Sequence, residues 1–385
     1  MKTRKTLLVF ASTFPRWRND TNPPFVYELS KRLTKHFDVY VLAPYYHGAK
    51  KYEIMEGMKV YRFKYFIEKY QKLAGSGGIL PTLKKNKWFY FQVPFFLIAE
   101  YFALKKLVKK IRPDIIHAHW IIPQGFICAL VKKSTGAEYV VTSHGSDILG
   151  LRGFNSLKRF TLRNAKKITV VSNALKKQII EEIDKNLDIE VIPMGVDTKL
   201  FNPKKYDAKL KRKYNIDGHF LLFVGRLAPE KGIDLLIEAM PKVLKKQPKA
   251  KLMIIGEGTL KEQLVKRVKE LAIQDNIIFM GWVNNKDLPK YYATADVFVC
   301  PSRREGSPVS YIEALACGTP VVIGNLGISK ELVKKYGGFV VKQEKENIAE
   351  GIVNALDKQI KIMENVRRDY DLGVVSRRFK SCYER

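Results

Sequence analysis

The chain has 385 residues, 46% of them apolar, and carries 69 Lys and Arg against 38 Asp and Glu, a formal charge of +31. Its length predicts more than one domain, and the positive excess predicts an anionic ligand or surface nearby. The four cysteines, Cys128, Cys300, Cys317 and Cys382, form no C-x-x-C pair, which argues against a zinc ribbon or a disulfide framework and fits a reducing cytoplasm.

At the amino end, "TLLVFAS" reads as a first β-strand rather than a secretory leader. The turn after it, "STFPRWRNDTNPPF", contains no glycine, which argues against a nicotinamide fingerprint there. The apolar runs "DVYVLAP", "DIIHAHW", "EYVVTSH", "KITVVS" and "IEVIPM" follow, alternating with helical stretches. That rhythm predicts parallel strands joined by crossover helices.

Between "DVYVLAP" and "DIIHAHW" lies "WFYFQVPFFLIAEYFAL", residues 88–104, interrupted by Gln92, Pro94 and Glu100. It is short of the ~20 apolar residues a membrane span needs. Lys84, Lys85 and Lys87 precede it, and Lys105, Lys106, Lys109 and Lys110 follow. This is the layout of a helix lying on an anionic surface, and equally of a core helix with a solvated basic end.

After "PMGVDTKLFNP" comes the Lys-rich "KKYDAKLKRKYNIDG", and the alternation restarts with "HFLLFVGRL", "KLMIIGEG", "NIIFMGWV", "DVFVCPS", "PVVIGN" and "GGFVVK". The expected organisation is a first domain over 1–198, a linker over 199–215, a second domain over 216–365, and a helical tail over 366–385 that crosses back to the first domain. No period of 20–50 residues and no low-complexity tract breaks it. The fold class is α/β, two doubly wound units, with ligands at the carboxyl ends of the strands in a crevice between them.

Three successive strand ends of the second unit carry candidate chemistry. Arg226 and Lys231 stand at the first strand-to-helix turn, where two fixed cations can straddle a diphosphate. Gly256 and Gly258 at the next would let a ligand approach the backbone. The third leads into "SRREGSPVSYIEALACGTPVV", where Ser307 suits an N-cap, Pro308 the first helical turn and Gly318 the residue past the end. Glu305 and Glu313 therefore flank a helix N-terminus from opposite sides, and the amides of Val309 and Ser310 suit a diphosphate.

In the first unit, "VVTSHGSD" brings His144, Gly145 and Asp147 to a strand end, and "HAHW" puts His117 and His119 on one strand face. Without a third ligand the pair reads as acceptor-facing or structural rather than metal-binding. The "DYD" of Asp369 to Asp371 reads as a solvated turn.

"VGRLAPEKGIDLLIEA", "IIGEG" and "EGSPVSYIEALACGTPVV" resemble the donor half of the family 4 glycosyltransferases of GT-B fold, and "HGSD", "VVSNAL" and "VIPMGVDTKLF" extend the likeness into the first half. Its most specific element is the E-x7-E from Glu305 to Glu313. The resemblance implies two facing Rossmann-like domains with an interdomain cleft, and retaining transfer from a nucleotide-diphosphate sugar to a glycan or lipid-linked acceptor, with no cofactor or metal required. It implies that His144, Arg226, Lys231 and Glu305 are catalytic, with Glu305 facing the donor sugar. Gly256, Gly258, Gly306, Ser307, Val309, Ser310 and Glu313 would bind the donor, Glu313 at the ribose, while His119 and Asp147 would lie on the acceptor side.

Relatives carry a glycine pair after the first strand, where this chain has Thr21, Asn22, Pro23 and Pro24, so no role is carried over to residues 19–24. The expected location is cytoplasmic, peripheral on the inner face of a membrane. The alternatives are a nucleotide-sugar epimerase of the same fold, and a nucleic-acid-binding protein suggested by charge alone, without a recognition motif.

Overall fold

A computed structural model describes residues 4–18, 20, 25–74, 78–151, 153–306, 308–358 and 365–385. The glycine-free loop at 21–24 and the expected Ser307 cap lie outside the described residues. The chain divides into two compact units, Met1–Gly195 with Leu372–Arg385, and Val196–Asp371.

The first unit holds eight strands: β1 (Thr6–Phe10), β2 (Asp38–Pro44), β3 (Tyr52–Met55), β4 (Met58–Phe63), β5 (Ile115–His119), β6 (Tyr139–Ser143), β7 (Lys167–Val170) and β8 (Ile189–Val191). Their order is β3-β4-β2-β1-β5-β6-β7-β8, parallel except for the β3–β4 hairpin. Strands β5 and β6 are buried at every position, as expected of central parallel strands covered on both faces. The hairpin is absent from the sequence reading because its turn is Glu56-Gly57, both at positive φ, a weaker signal than Asn-Gly.

The second unit holds β9 (Phe220–Val224), β10 (Lys251–Ile255), β11 (Ile277–Gly281), β12 (Val297–Cys300), β13 (Val321–Gly324) and β14 (Phe339–Val341). The order β11-β10-β9-β12-β13-β14 is that of a doubly wound nucleotide-binding sheet, with its switch point between β9 and β12.

Residues 199–215 belong to this second unit rather than forming a linker. Phe201, Leu210 and, just beyond, Ile216 are buried in its core, and Asp207 caps the helix Ala208–Lys213 by accepting the Lys209 N–H at 3.0 Å. The helix Asn365–Tyr370 also stays here, with Val366 in the core. Asp369 and Asp371 are half-buried and bonded rather than solvated: the Tyr336 hydroxyl donates to Asp369 at 2.9 Å and that of Thr198 to Asp371 at 2.6 Å. The part of the tail in the first unit is Leu372–Glu384, a helix that buries Val375, Phe379 and Tyr383.

The aromatic segment forms the helix Val93–Ile111, with Phe96, Glu100, Leu104, Leu107 and Val108 buried at the i, i+4, i+8 spacing of one face. Phe95, Ile98 and Phe102 on the other face are exposed, as are Trp88, Tyr90 and Phe91 just before it. Among the described residues no helix is long and apolar enough to cross a membrane.

Candidate active site

Because β9 and β12 are neighbours, the loops that leave their carboxyl ends are knitted together. The backbone N–H groups of Arg303 and Arg304 donate to the Glu230 carbonyl at 2.9 and 3.3 Å. The Arg303 guanidinium grips the Asp234 carboxylate at 2.8 and 2.7 Å, a bidentate bond that fixes the approach. Neither residue drew attention in the sequence, where Arg303 is one of many cations.

Within this frame Lys231 and Glu305 form a short ion pair, with side chains only 17% and 9% exposed. Burial pulls the Lys231 pKa down, but the Glu305 carboxylate outweighs it and the net shift is upward, so the ammonium stays charged. Arg226, just beyond the end of β9, is half exposed, and its guanidinium lies 2.8 Å from the Glu230 carboxylate.

Gly256 and Gly258 are explained by protein backbone. A Cβ on Gly256 would lie 1.9 Å from the Gly225 carbonyl oxygen, and one on Gly258 2.3 Å from that of Leu227. The two strand-end loops cross here, with Leu227 N–H donating to the Glu257 carbonyl at 3.0 Å, and only glycine permits it.

The helix after β12 runs Val309–Ala316, with Pro308 at its N-cap position rather than in the first turn. Tyr311 and Ile312 donate to the Pro308 carbonyl, which leaves the Val309 and Ser310 amides without a helical acceptor. Gly306 bends the chain just ahead of it. Gly318 follows the end at φ +82°. Glu313 is buried, 8% exposed, and accepts the Tyr292 hydroxyl at 2.9 Å. Burial pushes its carboxyl up to about 7, the Tyr292 bond pulling the other way. A buried acid short of hydrogen-bond donors is matched to a ligand that brings some.

In the first unit the strand ends bring three histidines together. His117 and His119 share a face of β5, ring centroids 4.0 Å apart, and His119 Nδ1 lies 2.9 Å from His144 Nε2. His117 is fully engaged: Nε2 meets the Thr142 hydroxyl at 2.6 Å and Nδ1 the Tyr383 hydroxyl at 2.8 Å. Burial lowers the pKa of His117 and His144 to about 3 and takes His119 well below its usual value, so all three are neutral imidazoles at neutral pH. Phe25 and Trp120 flank the His144 ring, each with centroids 5.0 Å away.

Asp147 is 2% exposed and accepts from Ile121 N–H at 2.7 Å, the Ser143 hydroxyl at 2.7 Å and Gly145 N–H at 3.2 Å. It ties the loop after β6 to the loop after β5 and so holds His144 in place. Among the described residues no group of three or more His, Cys, Asp or Glu side chains is placed so that it could hold a metal ion.

Two doubly wound units in one chain, one with a buried ion pair and a helix N-terminus at its switch point, make an α/β architecture of GT-B type. The profile described as "Glycosyl transferases group 1" matches residues 207–370, and that described as "Glycosyltransferase Family 4" matches 24–200. The chain is 30% identical over 349 residues, 84% of its length and 79% of the relative's, to a Bacillus subtilis protein named as a teichuronic acid biosynthesis glycosyltransferase. It is 30% identical over 55% of its length, and 58% of the relative's, to a GDP-mannose-dependent alpha-(1-6)-phosphatidylinositol monomannoside mannosyltransferase of Mycolicibacterium smegmatis. The Anabaena protein HepE, solved in complex with UDP, superposes with a TM-score of 0.71 at 18% identity, over 99% of each chain. The chain belongs to the family 4 glycosyltransferases and is a glycosyltransferase enzyme; neither the epimerase nor the nucleic-acid reading is favoured.

Proposed function

We propose that the protein transfers a hexosyl group, with retention of anomeric configuration, from a nucleoside diphosphate sugar to a hydroxyl of a glycan or lipid-linked acceptor. The observation that carries this is the switch point of the second unit, where the buried Lys231–Glu305 pair precedes the helix Val309–Ala316 and buried Glu313 lies within it. Glu313 takes the ribose hydroxyls, the Val309 and Ser310 amides take the diphosphate, and Glu305 faces the sugar. As the anomeric C–O bond breaks, charge builds on the diphosphate. Lys231, Arg226 and the helix amides stabilise it, the acceptor oxygen bonds to the anomeric carbon on the face the diphosphate leaves, and the acceptor proton passes to the departing phosphate oxygen.

Retention rests on the family resemblance, and proton NMR of the product tests it: inversion at the anomeric carbon overturns it. Lys231→Ala is expected to lower turnover by at least ~10²-fold, as loss of one preorganised stabilising group does. Glu305→Gln should also depress turnover, yet leave affinity for the free nucleoside diphosphate unchanged or higher, because Lys231 is then no longer shared with a carboxylate. Calorimetric titration of both variants, after a melting curve shows them folded, separates these effects. Equal loss of diphosphate affinity in both sinks the assignment. Activity is expected to survive EDTA.

A phosphatidylinositol mannoside is the acceptor of the Mycolicibacterium relative, and the exposed aromatic face of Val93–Ile111 supports a lipid-linked acceptor reached by peripheral attachment to a membrane. The four cysteines are buried and unpaired, which fits a reducing compartment, the cytoplasmic side. Relative and neighbour point to GDP and UDP respectively, and a thermal-shift panel of nucleoside diphosphates selects between them.

A further inference from the structure

Glu313 is an enclosed carboxyl with a single protein donor. The Tyr292 hydroxyl donates to its Oε2 at 2.9 Å, and among the described residues no other hydrogen bond reaches the carboxyl. An ionised carboxylate has about four acceptor sites, so one donor leaves it far from satisfied. Tyr292 is itself 0% exposed. Its ring packs on Phe201 and Phe298, centroids 5.9 and 5.6 Å away, and the Thr319 hydroxyl donates to its carbonyl. Burial first, and the Glu313 charge after it, take the phenol well above its ordinary value, so the hydroxyl keeps its hydrogen and serves as a donor.

The helix Val309–Ala316 packs against Leu288–Thr294, Asn365–Tyr370, β12 and β13. Besides Tyr292, the titratable and charged groups these neighbours bring nearby are Arg367 and Cys300, with Cys317 just past the end of the helix itself. Arg367 acts on Cys317 and not on Glu313, and burial raises both thiols, so they stay neutral. Burial pushes the Glu313 carboxyl up, and the Tyr292 hydrogen bond alone opposes it. The charge of Glu313 therefore hangs on one hydroxyl.

We propose that Tyr292 is a positioning residue for donor binding: its hydroxyl fixes Glu313 Oε2 and keeps the carboxyl available as a charged acceptor, whose remaining acceptor sites receive the ribose hydroxyls of a nucleoside diphosphate. This rests on the reading of Glu313 as the group that meets the ribose. Hydroxyl donors from a ligand favour the charged carboxylate over the neutral acid, so affinity rises as the pH climbs through about 7, where Glu313 loses its proton. Without the Tyr292 hydroxyl the charged form is harder to reach and the rise moves to higher pH. A side chain that merely fills space would instead weaken binding equally at every pH.

The test titrates whichever of UDP and GDP binds more tightly into the wild type, Tyr292→Phe and Glu313→Gln between pH 5.5 and 9, by calorimetry. Carboxyl carbons of the full-length 13C-glutamate-labelled protein are followed by NMR over the same range, and the resonance that Glu313→Gln lacks identifies Glu313. That variant also gives the baseline, since its profile carries the titration of the ligand's own terminal phosphate alone. Phenylalanine keeps the ring and its packing. Above the baseline, wild-type affinity should rise through pH 7. In Tyr292→Phe the midpoint should lie about one unit or more higher in both measurements, the scale of one hydrogen bond to a charged group. Binding is then about 5-fold weaker at pH 7 and converges on the wild type toward pH 9. An unmoved midpoint, or the same deficit at every pH, overturns the proposal. Should Tyr292→Phe fail to fold, a wild-type carboxyl titrating at the ordinary 4.5 still overturns it. If the carboxyl midpoint moves as expected but Glu313→Gln binds the nucleotide like the wild type at every pH, the ribose reading falls and the Tyr292–Glu313 coupling stands.

Discussion

Glu313 joins a stability argument to a binding argument in one side chain. Its carboxyl titrates near 7 in the folded protein against an ordinary value of 4.5, so between those values the native state holds a proton that the unfolded chain has released. Its contribution to stability is intact below about 4.5 and is lost as the pH rises through 7. Glu313→Gln is therefore expected to melt like the wild type at pH 5 and higher than it at pH 8, with a gain on the order of 1–3 kcal/mol. The same variant should bind nucleoside diphosphate ~10-fold or more weakly, because hydrogen bonds from the ribose to a charged acceptor are lost. Paired melting curves and calorimetry check both signs; equal melting at both pH values removes the buried-acid account. The sequence located Glu313 and its helix correctly, but not its burial, which comes from Tyr292 and the elements around it. Nor did it bring Lys231 to Glu305, since a spacing along the chain says nothing about which cation meets which carboxylate.

The helix Val93–Ile111 illustrates the same division one scale up. Its sequence admitted a helix lying on an anionic surface and a core helix with a solvated basic end; one stripe packs inward, while Phe95, Ile98 and Phe102 are 43%, 57% and 63% exposed. Phe91 extends the outer face, its ring centroid 5.4 Å from that of Phe95, and Lys84, Lys85, Lys87, Lys106, Lys109 and Lys110 are exposed around it. An apolar patch rimmed by cations matches an anionic lipid surface. The protein is expected to co-sediment with anionic vesicles at low salt and to be partly released at high salt. Changing Lys84, Lys85 and Lys87 to Gln should weaken attachment by roughly 100-fold, at about 1 kcal/mol for each lysine near the surface. Phe91→Ser with Phe95→Ser should remove the salt-resistant remainder. Equal partitioning onto neutral and anionic vesicles would show that the face does not serve a charged membrane.

For the whole molecule, the chain passes from the first unit to the second at Gly195–Val196 and returns at Asp371–Leu372. The returning helix is a structural part of the first unit: Phe379 is 0% exposed and packs on His117, centroids 5.2 Å apart, while the Tyr383 hydroxyl bonds that histidine. Phe379→Ala is expected to destabilise the protein by about 3–5 kcal/mol, the range for a buried aromatic truncated to alanine. Chemical denaturation followed by circular dichroism measures it; a loss below about 1 kcal/mol would mean that the tail rests on the surface. A tail helix that packs against His117 also makes the environment of that histidine depend on Phe379 and Tyr383, far from it in the sequence.

The sequence by itself determined the alternation of strands and helices, hence two doubly wound units, and the strand ends at which the candidate site residues stand. Parallel strands covered on both faces must be continuous apolar runs, and the residues just after them must lie at the carboxyl edge of the sheet. These are local constraints, written in consecutive residues. The tertiary structure alone decided that Lys231 meets Glu305, 74 positions away, and that Tyr383 meets His117, 266 positions away. Partners so distant are set by strand order and by the path of the tail, which depend on how whole elements pack and are not encoded in any single stretch.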